Sequence, residues 1–256
     1  MKPYSAPGWL PGGQAQTLWP LLIKAPPLPL RRERWDTPDG DFIDVDHLDA
    51  PAGAPLLVLF HGLEGSARSH YAISTAHACK RQGWRLAIPH FRGCSGELNR
   101  RPRAYHSGDS DEIDWILRRL QQANVGQRLH AAGISLGGNA LLKWAGERAE
   151  AAADVVTGVV GICAPLDLAA CGHHLARGFN RLYTRHFLDT LKVRSAARLQ
   201  RFPGLFDETR MRRARNLWEF DDAVTGPVHG FAGADDYWAR SSAKPWLRSI
   251  AVPALV

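Results

Sequence analysis

A serine flanked by glycines at a spacing of two, Gly133-Ile134-Ser135-Leu136-Gly137, is the strongest chemical signal in the chain. It stands between an apolar run, RLHAAGIS (128–135), and a helix-forming run, LGGNALLKWAGERA. A strand that turns sharply into a helix at a serine lifts the hydroxyl above the sheet edge, where it can attack a carbonyl carbon. Side chains two residues to either side would collide with neighbouring backbone, so glycine is expected there. The helix that follows aims its N-terminal N–H groups at the developing negative charge. Ser135 therefore reads as a nucleophile; the competing reading is a plain strand-to-helix turn with an N-cap serine.

His61-Gly62-Leu63-Glu64-Gly65 follows the apolar run PLLVLF (55–60). In a fold with a nucleophile elbow, the loop at this place supplies one amide of the oxyanion hole, and the residue after the nucleophile supplies the other. The backbone N–H groups of Leu63 and Leu136 are the expected pair. A base is harder to find among His61, His106, His173, His174, His186 and His229. His106 precedes a helix start, Ser107-Gly108-Asp109-Ser110, and reads as structural. His173-His174 could approach the pocket. Asp235-Asp236 precedes a helix and reads as capping rather than as a catalytic acid. No histidine or cysteine spacing suits a metal, and no organic cofactor is expected.

The elements that must position these residues follow from periodicity. Residues 1–30, rich in Pro and Gly, read as an extended arm. RRERWDTPDGDFIDVDHLDA reads as a hairpin turning at Asp39-Gly40. Strands at 55–60, 84–91, 128–135 and 155–165 alternate with helices at 69–83, 109–123 and from Leu136. That alternation implies an α/β fold: a mainly parallel sheet, helices on both faces and a helical cap insertion. The division expected is 1–54 for the arm and first strands, 55–166 for the core, 167–218 for the cap, and 219–256 for the return to the core. The last part has a helix at 239–250 and a strand beginning at Val252, all within one domain.

The chain has 256 residues, 45% hydrophobic and 22% charged, with a net charge of +7. That balance excludes disordered and fibrous classes. Residues 171–218 hold eleven Arg/Lys against three acids, Asp189, Asp207 and Glu208, a net of +8. Positive charge confined to one segment argues against nucleic acid as a partner; it suits peripheral membrane contact through the basic cap, or a solvated face. Among the cap aromatics Phe179, Tyr183, Phe187, Phe202, Phe206 and Trp218, most are expected to pack the cap and some to line an acyl pocket. The N-terminus has no apolar signal region, and Cys79, Cys94, Cys163 and Cys171 are scattered, which points to a reduced, cytoplasmic setting.

Together, Gln16-Thr17 with Trp19-Pro20, HGLEGS (61–66), FRGCSGE (91–97), YHSGD (105–109), GISLGGN (133–139), GFNRLYTRHFL (178–188) and FDDAVTGPVHGFAGADDYW (220–238) resemble the YheT-type esterases of the α/β-hydrolase superfamily. One departure is Gln14, where the resemblance leads to a histidine. The resemblance implies a carboxylester hydrolase acting on short acyl esters or monoacylglycerols. It also places the acid after the strand begun by VPALV and the histidine later still, so the triad's acid and histidine are expected beyond Val256, in a longer gene product. The rival readings are a non-catalytic binding module on the same fold, and acyl transfer by the same serine to an acceptor other than water. The oligomeric state is left open.

Overall fold

The computed structural model describes residues 5–23 and 25–256. Strands β1 (Arg31–Asp36) and β2 (Phe42–Leu48) form the antiparallel hairpin expected at Asp39-Gly40. Gly40 takes φ 76° there, and its N–H donates to the Thr37 carbonyl. β3 (Leu56–Phe60), β4 (Arg85–Pro89), β5 (Leu129–Ile134), β6 (Gly158–Ile162) and β7 (Ala254–Leu255) run parallel to one another. β2 meets β4 antiparallel, and the sheet order is β1-β2-β4-β3-β5-β6-β7.

Helices cover both faces, so the central strand β3, LLVLF, is apolar along its whole length rather than alternating. Val58 and Phe60 pack with Ile113, Ile116, Leu141 and Trp144 on one side, while Leu59 packs with Ala72, Ala76, Leu86 and Ile88 on the other. The helices responsible are α2 (His70–Gln82), α3 (Ser110–Gln122) and α4 (Leu136–Arg148). Only the face of α3 carrying Ile113, Ile116, Leu117 and Leu120 is apolar, and those four side chains are buried. In contrast, α4 is buried continuously from Leu136 to Gly146. It lies against β5 and β6, against α3, and under the short 3₁₀ stretch Lys244–Ser249.

The sheet order decides where a ligand can sit. The chain leaves β3 through α2 to β4 on one side, then reappears on β3's other side as β5. Where connections diverge like this, a crevice opens beyond the carboxyl ends of the two strands. The two loops there are 61–66 and the turn at Ser135.

The arm departs from the extended form expected of it: α1 (Gly12–Leu22) lies within it. Tertiary contacts rather than propensity hold this helix. Gln14 Nε2 donates to Asn180 Oδ1 at 3.0 Å, Gln14 Oε1 accepts from the Tyr183 hydroxyl, and the Trp9 and Trp19 rings meet edge to face. Residues 1–4 of the arm, and Lys24, lie outside the described residues.

Within 167–218 the described residues form helices α5 (Leu168–Leu175), α6 (Arg181–Arg201), α7 (Glu208–Arg213) and α8 (Leu217–Phe220), with no sheet strand. The helical run does not stop at 218. It continues through a π-helical turn (Asp221–Thr225), α9 (Gly226–His229) and α10 (Ala234–Ser241). Tyr237 and Trp238 of α10 bury against Leu168, while the Tyr237 hydroxyl accepts from the Ser107 N–H and the Ser241 carbonyl accepts from Asn139, so α10 touches both cap and core. The helix expected over 239–250 is broken at Ser242, because the Ala243 N–H donates to the Asn139 side chain at 2.9 Å and Pro245 has no N–H.

Candidate active site

Ser135 stands between β5 and α4 with φ 51° and ψ −119°, a region L residues rarely occupy. Its own N–H still belongs to the sheet, donating to the Ile162 carbonyl at 2.8 Å. The flanking glycines have a steric reason. A Cβ on Gly137 would stand 2.6 Å from the Phe60 carbonyl oxygen, and one on Gly133 would stand 2.6 Å from Gly138 Cα. α4 starts at Leu136, so its first N–H groups surround the Ser135 turn.

The 61–66 loop is pinned on both sides of Leu63. The Gly62 N–H donates to the Tyr71 hydroxyl at 2.9 Å, and the Glu64 N–H donates to the Tyr105 hydroxyl at 2.9 Å. Tyr105 in turn donates to Glu64 Oε1 at 2.8 Å. The N–H groups of Leu63 and Leu136 have no hydrogen-bond acceptor among the described residues. Both residues, with Ser135, line one cavity of about 150 Å³ roofed by the cap. Its apolar wall includes Leu168, Phe187, Leu191, Leu217, Val224 and Val228. Of the six cap aromatics singled out in the sequence, Phe187 lines this cavity, while Phe179 lies exposed.

The histidines sort by environment. His61 is fully buried: Nδ1 faces the Gly62 carbonyl at 2.8 Å and Nε2 accepts from the Phe91 N–H at 3.0 Å. Burial pushes its pKa down to about 3, so it is a neutral structural ring. His106 and His229 do line the cavity, their rings 4.6 Å apart and edge to face. His106 Nδ1 accepts from the Gly108 N–H at 3.2 Å, and burial lowers its pKa. Burial, then His106, pushes His229 to about 3. His173 and His174 are exposed on α5 and do not line the cavity. Among the described residues none hydrogen-bonds the Ser135 hydroxyl. Asp235 accepts from Trp218 Nε1, and Asp236 accepts from the Ala232 N–H while pairing with Arg240.

Several residues that hold the site have partners that their sequence surroundings do not reveal. Asn139, at the end of GISLGGN, is fully buried. Its Nδ2 donates to Ser107 and to the Ser241 carbonyl, and its Oδ1 accepts from Ala243. One side chain thus ties α4, the 107 loop and the end of the cap together. Asp221, on the cavity wall, accepts from Thr225 and from Trp238 Nε1, and burial pushes its carboxyl up to about 6. Arg194 on α6 pairs with Glu64 at 2.9 Å and donates to the Gly93 carbonyl at 2.8 Å, fastening the cap to the core.

A strained serine between a parallel strand and a buried helix, with two free amides at the switch point, defines an α/β-hydrolase site. Residues 55–256 match the alpha/beta hydrolase fold family, and the chain belongs to it. The chain is 42% identical to the Escherichia coli (strain K12) protein named "Putative esterase YheT" over 230 residues, covering 88% of this chain and 67% of that protein. It is 26% identical to human "Phospholipase ABHD3", over 96% of this chain and 62% of that one. It is 23% identical to the Saccharomyces cerevisiae (strain ATCC 204508 / S288c) "Monoacylglycerol lipase", over 87% and 50%. The chain thus spans about half to two thirds of the length of these relatives. A solved structure, esterase Pf2001 of Pyrococcus furiosus, aligns with a TM-score of 0.48 at 14% identity, over 61% of this chain and 64% of that one.

Proposed function

We propose that this chain belongs to a serine carboxylester hydrolase in which Ser135 attacks the acyl carbonyl. The observation that carries the reading is the Ser135 turn, with φ 51° and two unaccepted amides at the same cavity. In the attack, the Ser135 oxygen bonds to the carbonyl carbon, and the carbonyl oxygen becomes the oxyanion. The Leu63 and Leu136 N–H groups receive that charge, and the alcohol leaves with a proton. Water then releases the acid from the acyl-enzyme. We assign the activating histidine and its acid to sequence following Val256, because this fold orders its triad Ser, acid, His and no described histidine bonds Ser135. A cavity of about 150 Å³ holds roughly a benzene-sized group, which favours short acyl chains. The names of the relatives, an esterase, a phospholipase and a monoacylglycerol lipase, support ester substrates of small-molecule or lipid type. The test is hydrolysis of p-nitrophenyl butyrate by the protein of the complete reading frame. Ser135→Ala lowers kcat by about 10³-fold or more with the fold intact; an unchanged kcat removes Ser135 from the mechanism.

We also propose peripheral membrane contact through the basic cap. Trp9, Leu22 and Ile23 of the arm, with Phe179 and Leu182 of the cap, are exposed apolar side chains. Arg177, Arg181 and Arg185 stand exposed in the same cap segment, and Gln14 ties the arm to it. Anionic lipid attracts such arginines, and salt screens the attraction. Cosedimentation with phosphatidylserine vesicles falls as salt rises if this holds; salt-independent binding contradicts it. No helix among the described residues is long and apolar enough to cross a membrane.

A further inference from the structure

Arg198 is an unspent cation on the wall of the Ser135 cavity. Its side chain projects from α6, the residue is 8% exposed, and its guanidinium makes no hydrogen bond or ion pair with any described residue. Its Nη2 lies near Gly93, where a Cβ would stand 3.3 Å away. Among the acids near it, Glu64 is shared with Arg194 and keeps one buried carboxylate oxygen without a hydrogen bond. Its other oxygen accepts from Tyr105, Asp109 is held by Arg103, and Asp221 by Thr225 and Trp238. A guanidinium stays charged at any working pH. The guanidinium nitrogens are not sealed off but keep access to the cavity, where an unpaired cation favours an anion entering from solvent. The neighbouring Arg194 adds positive charge on the same wall.

We propose that Arg198 receives an oxyanion of the substrate, a carboxylate or a phosphate carried on the ester that Ser135 attacks. The guanidinium fork suits both groups, since either offers two oxygens at matching spacing. The substrate class is therefore an anionic ester rather than a neutral one. This rests on the Ser135 reading for the reaction, but not for the binding.

The test has a kinetic and a binding arm on the protein of the complete reading frame. In the first, p-nitrophenyl butyrate is compared with p-nitrophenyl hydrogen glutarate, which adds a terminal carboxylate. The wild type prefers the glutarate ester in kcat/KM. Arg198→Gln lowers the glutarate-to-butyrate ratio by about ten-fold or more, and Arg198→Lys restores part of it. A ratio within about two-fold of the wild type in folded Arg198→Gln overturns the proposal. In the second arm, inorganic phosphate raises the Tm of Ser135→Ala protein, and the shift disappears in Ser135→Ala/Arg198→Gln. A shift that persists, or none in the parent, overturns it. Competition by free glutarate against glycerol phosphate tells which anion the site takes. If Ser135→Ala still hydrolyses butyrate, the nucleophile assignment fails while the phosphate arm still decides the role of Arg198.

Discussion

At Ser135 the backbone holds a conformation that a Cβ makes unfavourable, of the order of 1–3 kcal/mol. The sheet hydrogen bond to Ile162 on one side and the start of α4 on the other leave the residue no relaxed alternative. Ser135→Gly is therefore expected to be more stable than Ser135→Ala by about 1 kcal/mol, even though glycine gains more freedom on unfolding. Urea denaturation of the two variants checks this, and equal midpoints would mean that the turn is unstrained. Ser135 was legible in the sequence because its constraints are local: two glycines, an apolar run before and a helix after. Asn139, Tyr105 and Arg198 were not. Asn139 bonds to residues 102 and 104 positions away, Tyr105 to one 41 away, and no local pattern encodes such partners.

Among the elements, the cap carries a small core of its own. Leu188, Phe206, Met211, Ala214 and Phe220 bury against one another away from the sheet. Met211 has no exposed surface. Met211→Ala should destabilise by about 2–5 kcal/mol, as large-to-small core changes do. Since the cap's attachment to the core is largely polar, through Arg194 to Glu64 and Gly93 and Arg201 to Leu98, the loss should fall first on the cap. Limited proteolysis should then cut within α6 or α7 before the sheet region; first cuts in the sheet region would contradict this. Helical period made α2 and α3 legible, a helix-forming run after the serine made α4 legible, and the strand runs made β3 to β6 legible. In two places tertiary contacts outweigh local preference. α1 forms in a Gly- and Pro-rich arm because the cap holds it, and the 239–250 helix breaks where Asn139 takes a backbone donor.

For the molecule as a whole, buried titratable groups set the acid limb of stability. His61 and His229 have folded pKa values near 3, and His106 is lowered in the same direction, all below the ordinary 6.5. The unfolded chain therefore takes up protons first, and stability falls as pH drops below about 6.5, by up to about 1.4 kcal/mol per pH unit for each such group. Asp221, pushed up to about 6 by burial, and Glu112, raised by burial, act oppositely. Their folded forms bind protons first, so they recover stability as pH falls from about 7 to about 4. Asp39, pushed up by burial but held near 2 by Thr37 and Arg92, loses its contribution only as pH falls below about 4. Tm is expected to decline gently from pH 6.5 to 4.5 and steeply below; a steep loss starting at pH 6.5 would mean that the carboxyls do not compensate. The fold class was legible at this scale, because strand–helix alternation reports connectivity directly. The surroundings of Tyr237 and Trp238 were not, because they look like any core aromatics until their neighbours are known. Nucleophilic attack by one atom, the Ser135 oxygen, is tested most directly by covalent capture. The protein of the complete reading frame is treated with a fluorophosphonate, digested, and the adduct mapped by mass spectrometry. A single adduct is expected on the peptide containing Ser135, absent from the folded Ser135→Ala variant. An adduct on another residue, or equal labelling of that variant, would contradict it.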